Sequence, residues 1–206
     1  SFDTNAADND EFVAMGKNIA MQVAAMNPEY LSQADISADE LAKMKSITID
    51  SSLNKPESLP KPILRKLFEK ACNEKLWTDE EEEMLREYIA AYEEQKNNNF
   101  LFNFLSKEAV ATLAQLAVAG KEDFVNDKIF AGAVEGRIKK QLKEICLLDQ
   151  TFVRSDLFDG TVAGYVADVA KKLGADIKVI GFTRLAKGEG IEKKVDNFAA
   201  EVASMM

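Results

Sequence analysis

Between Phe124 and Val153 the chain carries a long amphipathic stretch that predicts a helix running into an apolar, strand-like tail. Phe130, Val134, Ile138, Leu142 and Ile145 recur at intervals of three or four and share one helical stripe, while Arg137, Lys139, Lys140 and Lys143 fall outside it. A stripe of that length is stable only when another element covers it. The run Ile145, Cys146, Leu147, Leu148 does not suit a one-faced helix, and Thr151, Phe152 and Val153 are β-prone. Sequence upstream of this stretch reads as helical and sequence downstream alternates helix with strand. The segment is therefore a seam between two halves of different character.

Upstream, Asn9, Asp10 and Glu11 begin a helix with Phe12, Met15, Ile19, Val23 and Met26 on one face, which Pro28 ends. Ser37 and Glu40 form a capping box for a short helix to about Met44; Ile47 to Ile49 is expected to be extended, and Asp50 to Pro62, with three prolines, to be connector. Ile63, Leu64, Leu67, Phe68, Ala71 and Cys72 mark the next helix. Thr78 with Glu81 caps another, whose buried side is Met84, Leu85, Tyr88, Ile89 and Tyr92. Asn97 to Asn99 break it, Phe100 to Leu105 is an apolar cluster, and Ser106 opens a helix ending near Gly120. The one-sided faces of 63–72, 84–92 and 110–116 can bury one another, which predicts a helical lobe separable from its flanks. Downstream, Thr161 to Leu173 is a helix closed by Gly174 as a left-handed cap, a strand runs from Ile177 to about Leu185, and a last helix occupies 191–206.

Histidine is absent, which removes the commonest general base, the Ser-His and Cys-His nucleophile pairs and the commonest zinc ligand. A formal charge of −9 disfavours direct binding to nucleic acid or to an anionic membrane. A protein partner or small ligand fits better. With 206 residues, 47% of them hydrophobic, the chain can bury a core without staples, as one domain or two small ones. Cys72 and Cys146 form no Cys-x-x-Cys motif, which points away from a zinc ribbon or disulfide scaffold and toward a reducing, cytoplasmic setting. No apolar run approaches the roughly 18 residues a membrane span needs. Ser1 to Glu11 lacks the order of a signal peptide, and a start at Ser1 fits processing, a removed tag or an excised piece equally.

Individual motifs are modest. Lys187 to Gly190 lacks the spacing of a phosphate loop and reads as a turn before a helix. Glu80 to Glu83 points in successive directions around a helix and reads as a solvated face favoured by the dipole, with no calcium-loop spacing. Glu11-Phe12-Val13 and Asp123-Phe124-Val125 offer a phenylalanine for insertion into a partner, but both rings fall on apolar stripes, which favours core packing. Gly132 and Gly136, each costing about 1 kcal/mol against alanine within a helix, fit either a close helix crossing or chance usage.

Four blocks carry a family resemblance: Asn18-Ile-Ala-Met-Gln-Val-Ala-Ala-Met-Asn-Pro28, Val134-Glu-Gly-Arg-Ile-Lys-Lys140, Cys146-Leu-Leu-Asp-Gln-Thr-Phe-Val153, and Gly188-Glu-Gly-Ile-Glu-Lys193 with Asn197-Phe-Ala-Ala-Glu-Val202. In that order they resemble elongation factor Ts, and specifically its carboxy-terminal half. The resemblance implies an α+β, predominantly helical fold: a small, incomplete α/β-sandwich core subdomain and carboxy-terminal module from residues 1–29 and 148–206, with a helical dimerisation subdomain inserted over 30–147. About 46–119 of that insertion is longer than the family's usual hairpin. The implied activity is guanine-nucleotide exchange on the translational GTPase elongation factor Tu, whose magnesium and phosphate-binding loop are disturbed so that GDP leaves. That requires no covalent chemistry, no cofactor, no metal and no catalytic residue.

Elongation factor Tu is the implied partner, with a homodimer also possible for the family, and the implied partner-facing residues are Ile191, Lys194 and Phe198 on the last helix. Inward packing of Phe198 with Val195 and Val202 is the competing arrangement there. The family's amino-terminal ubiquitin-associated-like module and its first core subdomain, with a Thr-Asp-Phe-Val wedge, have no counterpart in these blocks. A carboxy-terminal piece is expected, one that does not accelerate GDP release by itself. The alternative is a structural or assembly module without exchange activity.

Overall fold

The computed structural model describes residues 1–92, 102 and 105–185, with only the backbone of 87–92. It is predominantly helical with a small two-stranded sheet, the α+β class expected. Two compact units divide the chain, residues 1–27 with 166–206 and residues 28–165.

In the first unit, β1 (Phe2–Thr4) pairs antiparallel with β2 (Ile177–Val179), Phe2 opposite Val179 and Thr4 opposite Ile177. A three-residue strand is too short to show alternation, which is why β1 escapes a sequence reading. The strand expected to reach Leu185 ends at Val179. Beyond it the Ile180 N–H still donates to the Ser1 carbonyl at 3.1 Å and the Ser1 amino group to the Gly181 carbonyl at 2.7 Å, while 182–185 belong to no strand. The next element, α1 (Asp10–Met26), starts where the Asn9 side chain accepts the Glu11 N–H at 2.9 Å and the Phe12 N–H at 3.4 Å. It ends at Asn27, left-handed at φ 47°, whose N–H reaches the Val23 carbonyl; Pro28 follows rather than causes the stop. Met15, Ile19 and Val23 are buried, and Phe12 meets Phe2 edge to face at 5.3 Å. Met26, placed inward by periodicity, is exposed.

The second unit begins with α2 (Ala38–Leu53), which opens on the capping box foreseen: the Ser37 N–H donates to Glu40 at 3.0 Å and the Glu40 N–H to Ser37 at 3.2 Å. It does not stop at Met44. The β-branched run at 47–49 stays helical because Ile49 and Leu53 land on a buried face, and the Thr48 hydroxyl finds its partner within the helix, the Met44 carbonyl at 2.8 Å. A short 3-10 turn at Pro56–Ser58 leads to α3 (Lys61–Asn73). Then comes α4 (Asp79–Tyr92), capped by Thr78 and Glu81 as read from sequence. Leu85 is buried, but Met84 faces outward at 40% exposure; the side chains of Tyr88, Ile89 and Tyr92 lie outside the described residues, as do Asn97 to Asn99, Phe100 and Phe104. Phe102 packs on the core.

After α5 (Lys107–Ala119), capped by Ser106, the seam is two helices and not one: α6 (Lys121–Asn126) and α7 (Lys128–Ile145). Asp127 separates them. Its carboxylate accepts the Ile129 N–H at 2.9 Å and the Phe130 N–H at 3.3 Å and restarts the helix, while Lys66 approaches it at 2.7 Å. The tail is no strand either; a 3-10 turn at Leu147–Asp149 and single bridges, Tyr30 to Cys146 and Thr151 to Thr161, take its place.

One hydrophobic cluster runs through Ile49, Leu53, Ile63, Leu64, Leu67, Phe68, Leu85 and Leu113 to Phe124, Phe130 and Val134. The faces of α3, α4 and α5 do meet, but α2 and α7 complete their core, so the lobe is not closed by itself. Phe124 is buried and Phe12 half-buried, so both acid-aromatic triplets serve packing. The close crossing considered at Gly132 and Gly136 is absent: a Cβ at either would meet nothing within 4 Å. Just after Gly136, Arg137 reaches across instead, donating to the Ser52 hydroxyl and the Ser58 carbonyl. At the base of the unit, backbone bonds zip residues 29–31 to 145–148: Glu29 N to Ile145 O at 2.8 Å, Leu147 N to Tyr30 O at 2.9 Å and Leu148 N to Leu31 O at 3.0 Å. In the first unit again, α8 (Val162–Leu173), which spans the division at 165, ends on Gly174 at φ +60°, the left-handed cap expected.

Candidate functional site

Ile191, Lys194 and Phe198 lie outside the described residues, as do Val195, Val202 and the Lys187–Gly190 turn. The described surface offers a different place, the loop from Gln150 to Thr161. It leaves the seam through Gln150, only 1% exposed, whose amide donates to the Glu144 carbonyl at 2.7 Å while its own carbonyl accepts the Val162 N–H at 3.0 Å. The Phe152 N–H reaches Gly160 O at 2.9 Å, and the Leu157 and Phe158 N–H groups both return to Arg154 O, at 2.9 and 3.1 Å. The loop thus carries its own backbone ladder.

Its underside is aromatic. Phe152 is buried and stacks on Tyr165 at 4.2 Å and 17°, and Phe158 leans on the same ring at 6.1 Å. Gly160 and Gly164 make room for Phe158: a Cβ on either would stand 2.5 or 3.0 Å from its ring. On the solvent side Arg154 forks onto Asp156, Nε to Oδ1 at 2.8 Å and Nη2 to Oδ2 at 2.6 Å. That guanidinium holds the Asp156 carboxyl below its ordinary range, and the carboxylate raises Arg154 in return. Two aliphatic side chains remain outward, Val153 at 42% and Leu157 at 46% exposure. Exposed aliphatics scattered singly mean little; these two share one internally braced loop and stand beside a charge pair that neutralises itself.

The sequence reading took Phe152 and Val153 as strand and passed over 154–160. The signal it missed is the spacing of Phe152, Phe158 and Tyr165 with glycines at 160 and 164, which is the pattern of an aromatic-floored loop.

Other features hold less chemistry. A hollow of about 580 Å³ in the first unit is lined by Thr4–Asn9 and Leu173–Ala175, but its amides are engaged, Asn5 with the Asp176 N–H at 3.2 Å and Asn9 with the start of α1. A second hollow of about 450 Å³ lies among Glu57, Phe102, Leu105, Lys107 and Val110. Among the described residues no group of His, Cys, Asp and Glu side chains could hold a metal, and no helix is long and apolar enough to cross a membrane. Cys72 and Cys146 are unpaired thiols, both pushed up by burial.

Residues 3–189 match the family described as elongation factor TS, a span that contains the whole Gln150–Thr161 loop and ends before Ile191. The chain belongs to the elongation factor Ts family. Among its relatives, elongation factor Ts of Clostridioides difficile is 31% identical over 204 residues, 99% of this chain and 44% of that protein. Elongation factor Ts of Caulobacter vibrioides is 50% identical over 101 residues, 49% of this chain and 30% of that protein. The Desulforamulus reducens elongation factor Ts is 28% identical over 200 residues, 97% and 60% respectively. The chain thus spans less than two thirds of the length of these elongation factor Ts relatives.

Proposed function

We propose that this chain acts in translation elongation by binding elongation factor Tu, and that it contributes to guanine-nucleotide exchange by favouring the GDP-free form of that GTPase. The reading is supported by family membership and carried by one observation, the braced loop that presents Val153 and Leu157 inside the family match. Differential affinity is what the role requires: a partner bound more tightly without GDP than with it holds GDP more weakly by linkage, with no acid, base or metal supplied by the exchange factor. A chain without histidine and with net charge −9 suits that role better than nucleic-acid binding. The same reading places it in the cytoplasm. It also assigns residues 30–147, entered and left through the zipped base, to a helical subdomain that pairs with a second copy, with 46–119 as its added part, and leaves 1–29 and 148–206 to the core and carboxy-terminal module. Ile191, Lys194 and Phe198 remain proposed as a further contact region.

The test is a titration of elongation factor Tu loaded with a fluorescent GDP. Saturable binding is expected, weakened at least tenfold by the double change Val153→Asp, Leu157→Asp, with the fold retained because neither side chain belongs to the buried core. Absence of binding at high micromolar concentration refutes the proposal. Equal affinity for the GDP-bound and GDP-free forms of the GTPase would reduce the chain to a docking or assembly module.

A further inference from the structure

We draw no further inference here: the strongest candidate, the exposed face of α1 formed by Val13, Ala20, Met21 and Ala24 around Lys17, is a helix face with no partner among the described residues, and nothing in the structure shows what covers it.

Discussion

Ser106 donates its hydroxyl to the carboxylate of Glu81, and through that one contact the first turns of α4 and α5 are held together across 25 residues of sequence. Each residue also caps a helix, Glu81 in its box with Thr78 and Ser106 on the Ala109 N–H at 3.0 Å. Glu81→Ala therefore removes a link and half a cap at once. It should cost about 1–2 kcal/mol, measured by urea denaturation, and Ser106→Ala in the Glu81→Ala background should cost clearly less than in the parent. Strict additivity of the two would mean the contact carries no energy.

Stability should be flat from neutral pH down to about 5, because no histidine titrates there. Glu81 is held below the usual carboxylate range, first by the Ser106 hydroxyl, and Asp127 likewise, first by Lys66. A depressed folded pKa contributes stability that is complete above the unfolded value, near 3.9 for Asp and 4.3 for Glu, and disappears as pH falls through the folded one. The melting temperature should thus decline only below about pH 4.5. Glu81→Gln with Asp127→Asn should flatten that decline while lowering the plateau. A fall already visible between pH 7 and 5 would contradict this assignment.

Backbone conformation gives a second, independent set of outcomes. Gly132→Ala and Gly136→Ala add a methyl that meets nothing, so each should stabilise by about 0.5–1 kcal/mol through helix propensity. Lys75, at φ 51° just past α3, holds the position glycine favours, with the Leu76 N–H on the Ala71 carbonyl at 2.9 Å. Lys75→Gly should stabilise by about 0.5 kcal/mol, whereas Gly174→Ala at φ +60° should destabilise by about 1 kcal/mol. Thermal scans decide all four; loss of stability at Gly132 or Gly136 would reveal a contact hidden from the isolated chain.

The aromatic floor of the Val153 loop can be examined by a cycle. Gly160→Ala drives a methyl into the Phe158 ring and should cost about 1–3 kcal/mol. Removing the ring first, with Phe158→Ala, should make Gly160→Ala nearly neutral. Equal costs in both backgrounds would mean that the loop is not braced by Phe158, and the preorganisation argument for Val153 and Leu157 would go with it.

Joining Lys45 directly to Gly120 through a short Gly/Ser linker should give a molten product. The change strips Ile49, Leu53 and the faces of α3 and α5 from Phe124, Phe130 and Val134, which share one core with them. Loss of near-UV circular dichroism is the expected sign. A sharp cooperative transition would show that α7 finds other cover.

How much of this could be read beforehand depended on whether a signal was local. Ser37 with Glu40, Thr78 with Glu81, Ser106 and Gly174 each mark a helix end by chemistry confined to one turn, and each stands where the sequence placed it. Asp127 carries the same chemistry but sits inside an apolar stripe that remains in phase on both sides, so periodicity concealed the break. Ile47 to Ile49 misled in the opposite sense, since β-branching is a weak local preference that burial of Ile49 and Leu53 overrides. The proposed surface was hardest to see. Its exposed members, Val153 and Leu157, are ordinary in type, and only the folded backbone ladder sets them on one braced loop. Ile191, Lys194 and Phe198 came from family likeness alone and fall outside the described residues.

The Glu29 N–H and the Ile145 carbonyl are 2.8 Å apart, so everything between them is a detour that returns to its starting point. Segments of this kind tolerate growth. Closure entropy rises only by about 0.6 kcal/mol for each doubling of a flexible loop, and new helices that bring their own apolar faces offset it. The doorway at 29–31 and 145–148 therefore pins both ends of the detour, so that added length between them need not displace the backbone on which it closes.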